Sequence, residues 1–144
     1  MNKFDFALIL TCTINPIDIP NLVRNDPKIR FEDYKRSFNF WTDHSKIDKI
    51  IFIENSNYDI NHFKNIAKNK NKQIEFFSNN LNNTFNKNLG KGFGQYLSFK
   101  EIFEKSLIVK ETDYFFNVTG RHIITNFDEV YDDMILKKND IYIN

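Results

Sequence analysis

Apolar positions in this chain follow two patterns, and the two alternate. Residues 6–11, 49–53, 74–77 and 114–119 are short runs with little polar interruption. Runs of this length predict strands buried on both faces, as in a parallel sheet covered by helices on each side. Between the runs, apolar residues recur every three or four positions. Phe31, Tyr34, Phe38 and Trp41 do so after Asn25-Asp26-Pro27, a capping side chain followed by a proline for the first turn. Ile60, Phe63, Ile66 and Ala67 follow Asp59, a candidate cap. Lys and Asn alternate over residues 68–72, which predicts a solvated basic helix end rather than a polyanion site. Tyr96, Phe99, Phe103 and Leu107 make a third stripe.

The fourth helix is the best specified. Thr125 or Asn126 caps it, and Asp128 and Glu129 occupy its first turn. Phe127, Val130, Tyr131, Met134 and Ile135 form its stripe, and Lys137 and Lys138 close it. Asn139-Asp140 then turns the chain toward a predicted fifth strand at residues 141–143. Strand and helix thus alternate about four times. This predicts one α/β domain over residues 1–144, a three-layer sandwich with a mainly parallel sheet and right-handed crossovers. The sequence stops inside its fifth predicted strand, as expected of a domain shortened at its C-terminal side; a short edge strand is the alternative.

Composition limits the function classes. Aromatic residues reach 16%, with 16 phenylalanines, which is ample material for one core and argues against disorder. Lys and Arg number 20 against 19 Asp and Glu, so the basic excess of a nucleic-acid binder is missing. No run approaches the ~20 apolar residues of a membrane span, and the first residues lack the basic flank and cleavage site of a signal peptide. A single cysteine, Cys12, excludes an internal disulfide and fits a reducing compartment. The expected location is cytoplasmic, with the periphery of an inner membrane as a variant.

Ligands of parallel α/β sheets bind beyond the C-terminal ends of the strands, near the switch in strand order. The candidate segments are therefore residues 11–15, 54–57, 78–94 and 119–122. Glu54, directly after a buried run, offers a carboxylate to a ribose or nucleobase N–H; it also suits a turn or capping cluster. Gly90-Lys91-Gly92-Phe93-Gly94 holds three of the four glycines and opens a helix. Free backbone N–H groups there favour phosphate, and Lys91 adds charge, although a plain glycine-rich helix start reads equally well. The spacing is neither that of a P-loop nor that of a dinucleotide fingerprint. Arg121, in Thr119-Gly120-Arg121-His122, suits a bidentate clamp on a diphosphate or else a surface ion pair. Arg30 and Tyr34 lie one helical turn apart and point to the same cleft or to solvent.

Other chemistries fit poorly. Cys12 has no base or helix start beside it and reads as structural. His44, His62 and His122 show no metal-ligand spacing. A response-regulator receiver needs acidic residues where Cys12 and Ser78 stand. A nucleotidyltransferase needs a glycine- and arginine-rich loop after the first strand, which residues 11–16 lack.

The order of segments nevertheless carries a resemblance. Thr11-Cys12-Thr13-Ile14, Arg30-x-x-x-Tyr34, Phe40-Trp41, Ile51-Phe52-Ile53-Glu54-Asn55-Ser56, Gly90-Lys91-Gly92-x-Gly94-Gln95-Tyr96 and Val118-Thr119-Gly120-Arg121 follow one another. Together they resemble a group of proteins from bacterial capsule and lipopolysaccharide loci that are similar to GT-A glycosyltransferases. The similarity covers most of the chain but only the N-terminal, Rossmann-like nucleotide-binding half of such an enzyme. It implies a domain binding a nucleoside-diphosphate sugar for surface polysaccharide synthesis, with a glycan or lipid-linked acceptor.

By the same resemblance, Thr11, Thr13 and Glu54 hold the nucleoside, and Lys91 and Gly92 lie near the ribose and diphosphate. Residues 119–121, including Thr119 and Arg121, stand where the Asp-x-Asp metal motif belongs. That motif is replaced by Asn-Val-Thr-Gly-Arg, which counts against a Mn²⁺ or Mg²⁺ requirement. Arg121, with Lys91 or Arg30, is the physical substitute. No catalytic base is assigned, and a non-catalytic or degenerate binding or assembly domain is the alternative. The sugar, the base, the acceptor and the oligomeric state are not specified by these residues.

Overall fold

The structure is a computed structural model that describes residues 5–17, 19 and 21–137, the side chain of Lys91 excepted. Four strands, β1 (Phe6–Cys12), β2 (Lys49–Glu54), β3 (Gln73–Ser78) and β4 (Tyr114–Thr119), form one sheet in the order β3-β2-β1-β4. Every pairing is parallel. Among the described residues five α-helices accompany them: α1 (Pro27–Asp43), α2 (Asn61–Ala67), α3 (Lys91–Lys105), the single turn α4 (Leu107–Lys110) and α5 (Phe127–Lys137). The predicted fifth strand at 141–143 and Lys138 lie outside the described residues.

The sheet separates two apolar layers, as its two-residue side-chain period requires. Leu8, Leu10, Ile50, Phe52 and Val118 point to one face. They meet Tyr34, Phe38 and Trp41 of α1, Phe63 of α2, and Phe127 and Tyr131 of α5. Ala7, Ile9, Ile51 and Ile53 point to the other, where Ile102 of α3 and Ile108 of α4 cover them. The fold is thus a three-layer α/β sandwich. Phe38 sits edge-on to both Phe52 and Phe63, with ring centroids 5.2 and 5.4 Å away. Burying each such side chain contributes about 1.5–3 kcal/mol.

Strand order fixes where a ligand site can form. From β1 the chain steps outward to β2 and β3 by way of α1 and α2 on one face. It then crosses back through α3 and α4 on the opposite face to place β4 on the far side of β1. Reversing the direction and the face together keeps one crossover hand. It also leaves a crevice beyond the C-terminal ends of β1 and β4, where the neighbouring connections diverge. The register sets Thr11 beside Thr119 and Cys12 beside Glu54 at that rim.

Local signals explain most boundaries. Asp26 caps α1 by accepting from Lys28 N–H at 2.8 Å, and Pro27 follows in the first turn. Asp59 accepts from Asn61 N–H at 2.9 Å at the start of α2. The loop at 79–89 is not featureless: it makes two short 3₁₀ turns, Leu81–Asn83 and Lys87–Leu89. The third helix differs from its predicted stripe. Tyr96, Phe103 and Leu107 are half or more exposed, and the buried positions are Gly94, Ser98 and Ile102. The helix lays Gly94 and Ser98 against the rest of the fold beside Ile102 and the partly buried Phe99 of the predicted stripe, and the two small residues carry little hydrophobic signal.

Candidate functional site

A cleft of about 270 Å³ opens at the switch point. Its floor is the strand rim, with Thr11 and Thr119 adjacent in register. Neither threonine hydroxyl bonds to a described residue. One wall comes from α1 and the loop before it, and supplies Arg30, Tyr34, Ile19 and Leu22. The opposite wall comes from the turn at 81–83 and the first turns of α3, with Asn82, Gly92, Gly94 and Gln95. Thr13, Asn55 and Arg121 complete it.

The β1–α1 loop is held by groups that would otherwise serve a ligand. Arg30 is almost completely buried, and its guanidinium donates to the carbonyls of Thr13 (2.6 Å) and Arg24 (3.0 Å) and to the Tyr34 hydroxyl (3.1 Å). Tyr34 accepts a second bond from Thr13 N–H at 3.1 Å. With both acceptor positions used, the phenolic proton must be donated elsewhere, and no described residue accepts it. Burial, seconded by Cys12, pushes the Tyr34 hydroxyl up to about 12 against the opposing charges of Arg30 and Arg121. It therefore stays protonated and remains a donor at the cleft wall.

Glu54 occupies a different place from the one expected of a ribose or base ligand. It is fully buried and does not line the cleft. Its carboxylate accepts from Ile14 N–H (3.1 Å), Ser56 N–H (3.1 Å), Tyr58 N–H (2.8 Å) and the Ser56 hydroxyl. The two-residue strand period directs Glu54 to the α1 side, so it ties two loops together beneath the site. Burial pushes its carboxyl up, opposed by the bonds from Ser56, Tyr58 and Ile14. Asn55, one position on, faces the opposite way and reaches the cleft. It accepts from the Thr13 hydroxyl at 2.6 Å and donates to Ser98 of α3 at 3.0 Å. Its backbone carbonyl also takes Asn82 N–H at 2.8 Å.

Arg121 has the opposite character to Arg30. It lines the cleft and makes no hydrogen bond or ion pair with a described residue. Its backbone is nevertheless fixed. His122 N–H closes a turn on the Thr119 carbonyl at 2.8 Å, and the His122 carbonyl accepts from Ser37 (2.8 Å) and Trp41 (2.9 Å) of α1. Gly120 permits this turn, since its N–H meets the Thr11 carbonyl at 2.8 Å and a Cβ there would lie 2.8 Å from the same oxygen. Gly120→Ala is therefore expected to lower stability by about 1–3 kcal/mol, measured by urea unfolding. Unchanged stability would mean that the β1 and β4 ends separate without cost.

Six of the residues singled out from sequence, Thr11, Thr13, Arg30, Gly92, Thr119 and Arg121, meet at this cleft. Lys91 begins α3 beside Gly92, and its side chain lies outside the described residues. Asn82 and Gln95 were not singled out, because isolated amides in a polar stretch carry no pattern. No carboxylate or histidine is present among the described lining residues. Nowhere among the described residues do three or more His, Cys, Asp or Glu side chains gather as metal ligands. The residues present do not fit a bound Mn²⁺ or Mg²⁺, and no step is derived through one. Among the described residues no helix is long and apolar enough to cross a membrane.

This is an α/β sandwich whose switch-point cleft is lined by arginine, hydroxyl and amide groups. Comparison of the chain with protein-family models, with curated proteins and with solved structures gives no match.

Proposed function

We propose that this domain binds a nucleoside-diphosphate sugar in the switch-point cleft, as a glycosyltransferase-like domain for surface polysaccharide synthesis. The observation that carries the reading is Arg121. It is a guanidinium held by a fixed turn, without a hydrogen-bond or ion-pair partner among the described residues, in a cleft whose described lining bears no carboxylate. Such a group favours an anion with paired oxygens, and a diphosphate is one. Thr11, Thr119, Gly92 and the Tyr34 hydroxyl surround it with donors. The cleft volume takes a phosphate and a ring, with the remainder of a larger ligand projecting outward. The choice of a sugar nucleotide over other organic phosphates rests on the ordered motifs described from sequence.

In a transfer reaction, Arg121 would neutralise the leaving diphosphate while an acceptor hydroxyl displaces it. A base must take the hydroxyl proton. No described lining residue has a side chain suited to that task. This observation favours a second reading, in which the domain binds the sugar nucleotide without turning it over.

Thermal unfolding with UDP, GDP or a sugar nucleotide tests the binding that both readings share. Ligand at a hundred times its dissociation constant is expected to add about 2.7 kcal/mol, roughly 5–10 °C in Tm, with or without Mn²⁺. No shift with any of them would overturn the proposal. Release of nucleoside diphosphate from the sugar nucleotide, followed with a panel of glycan acceptors, separates turnover from binding alone.

A further inference from the structure

Asn82 is 5% exposed and lines the cleft, yet its side chain is almost unused by the protein. Its Nδ2 reaches Asn83 Oδ1 at 3.4 Å, and no described residue donates to its Oδ1. Among the described residues no sealed side-chain polar atom lacks a partner, so this oxygen opens onto the cleft, where an entering ligand must replace the water that serves it. The chain also makes room for the amide. Gly94, in the second turn of α3, is buried, and a Cβ there would stand 3.1 Å from Asn82 Oδ1 and 3.2 Å from the Phe85 ring. Glycine within a helix costs about 1 kcal/mol relative to alanine. Gln95, the next residue, lines the same wall and also makes no side-chain bond with a described residue.

An amide presents a donor and an acceptor together. Ionised phosphate only accepts, so it can satisfy the N–H₂ end but not the carbonyl. Whichever way the amide is turned, a ligand that displaces water from it must offer its oxygen an O–H or N–H. Resting on the phosphate reading of Arg121 given above, we infer that Asn82 recognises an uncharged, hydrogen-bond-donating group of the ligand, such as a sugar hydroxyl or a base N–H. The cleft then has a charged side at Arg121 and a neutral, reading side at Asn82 over Gly94. Its ligand is an organic phosphate ester rather than a bare polyphosphate, and Asn82 is a specificity determinant.

Calorimetric titration with inorganic pyrophosphate, UDP and UDP-glucose tests this, using the whole chain and the Asn82→Leu variant, which keeps the side-chain volume. The wild-type protein is expected to bind UDP or UDP-glucose at least tenfold more tightly than pyrophosphate. Asn82→Leu should remove that preference and leave pyrophosphate affinity within twofold. Loss at UDP places the read group on the nucleoside; loss only at UDP-glucose places it on the hexose. Gly94→Ala, which displaces the amide without altering it, should lose the same preference and serves if Asn82→Leu does not fold. Equal wild-type affinity for all three probes overturns the Asn82 inference and leaves the phosphate reading standing. Variants that bind all three as the wild type does also overturn it. Binding of none of the probes overturns both.

Discussion

Arg121→Ala is expected to weaken binding of a nucleoside diphosphate by about 3 kcal/mol, roughly a hundredfold in Kd, while Tm in the absence of ligand changes little. The reason lies in how the residue is built into the fold. Everything that fixes its position is backbone: the Thr119–His122 turn and the His122 carbonyl held by Ser37 and Trp41. The guanidinium makes no hydrogen bond or ion pair with a described residue, and it acts only at longer range on the Asp33 carboxylate, which Arg24 already holds. Removing it therefore leaves no hydrogen-bond partner orphaned, and the main loss falls on the ligand. Arg30→Ala is the instructive contrast, because three acceptors lose their donors there. Titration calorimetry beside a ligand-free melt checks both statements. A variant that binds the nucleotide normally would remove the central support of the proposed function, and one that fails to fold would make Arg121 structural.

The second large effect is expected at Glu54. Replacement by alanine leaves the N–H groups of Ile14, Ser56 and Tyr58 without their acceptor inside the protein. At about 1–3 kcal/mol for each unsatisfied buried donor, the loss is at least ~3 kcal/mol. Glu54→Gln retains one acceptor oxygen but turns an amide N–H₂ toward donors, so an intermediate loss is expected. The carboxyl also titrates against folding. Its folded pKa lies above the ordinary 4.5 because burial disfavours the charged form. Its contribution is thus fully present below the unfolded value and is lost as pH rises through the folded one. Urea unfolding from pH 4 to pH 7 should show this slope in the wild type and not in Glu54→Gln. Parallel curves for the two proteins would assign the pH dependence to other groups.

The sequence was most informative where hydrophobicity follows a regular period. The four largely apolar runs became the four parallel strands, most cleanly in the central β1 and β2, which are covered on both faces and need apolar residues on both. The stripe Phe31-Tyr34-Phe38-Trp41 and the pair Phe127-Tyr131 pack into the core as spaced, and Val130 and Met134 are buried with them. In α3 the pattern misled. The helix sits on Gly94, Ser98 and Ile102, and the large aromatics Tyr96 and Phe103 look outward. Close approach needs small residues, and small residues carry little weight in a hydrophobic stripe.

The site was legible through topology: residues that follow parallel strands share one end of the sheet, which marks the segments 11–15 and 119–122 that carry Thr11, Thr119 and Arg121. Which neighbour faces the cleft was harder to read. Glu54 and Asn55 are adjacent, and a single step along an extended chain exchanges the two faces of the sheet. The carboxylate, chemically the more conspicuous of the pair, went to the loops, and the amide went to the cleft. Asn82 falls in the candidate segment 78–94 but does not stand out within it, since its place depends on a 3₁₀ turn and on a glycine twelve residues later.

Asn55 bears on how the cleft behaves before anything enters it. Its one side chain joins the loop after β1 to α3, and its carbonyl joins the turn at 81–83 to both. The cleft walls are thereby ordered in the same event that orders the sheet. An incoming ligand meets a surface whose conformational entropy was already surrendered during folding, so association calls for little rearrangement of the polypeptide.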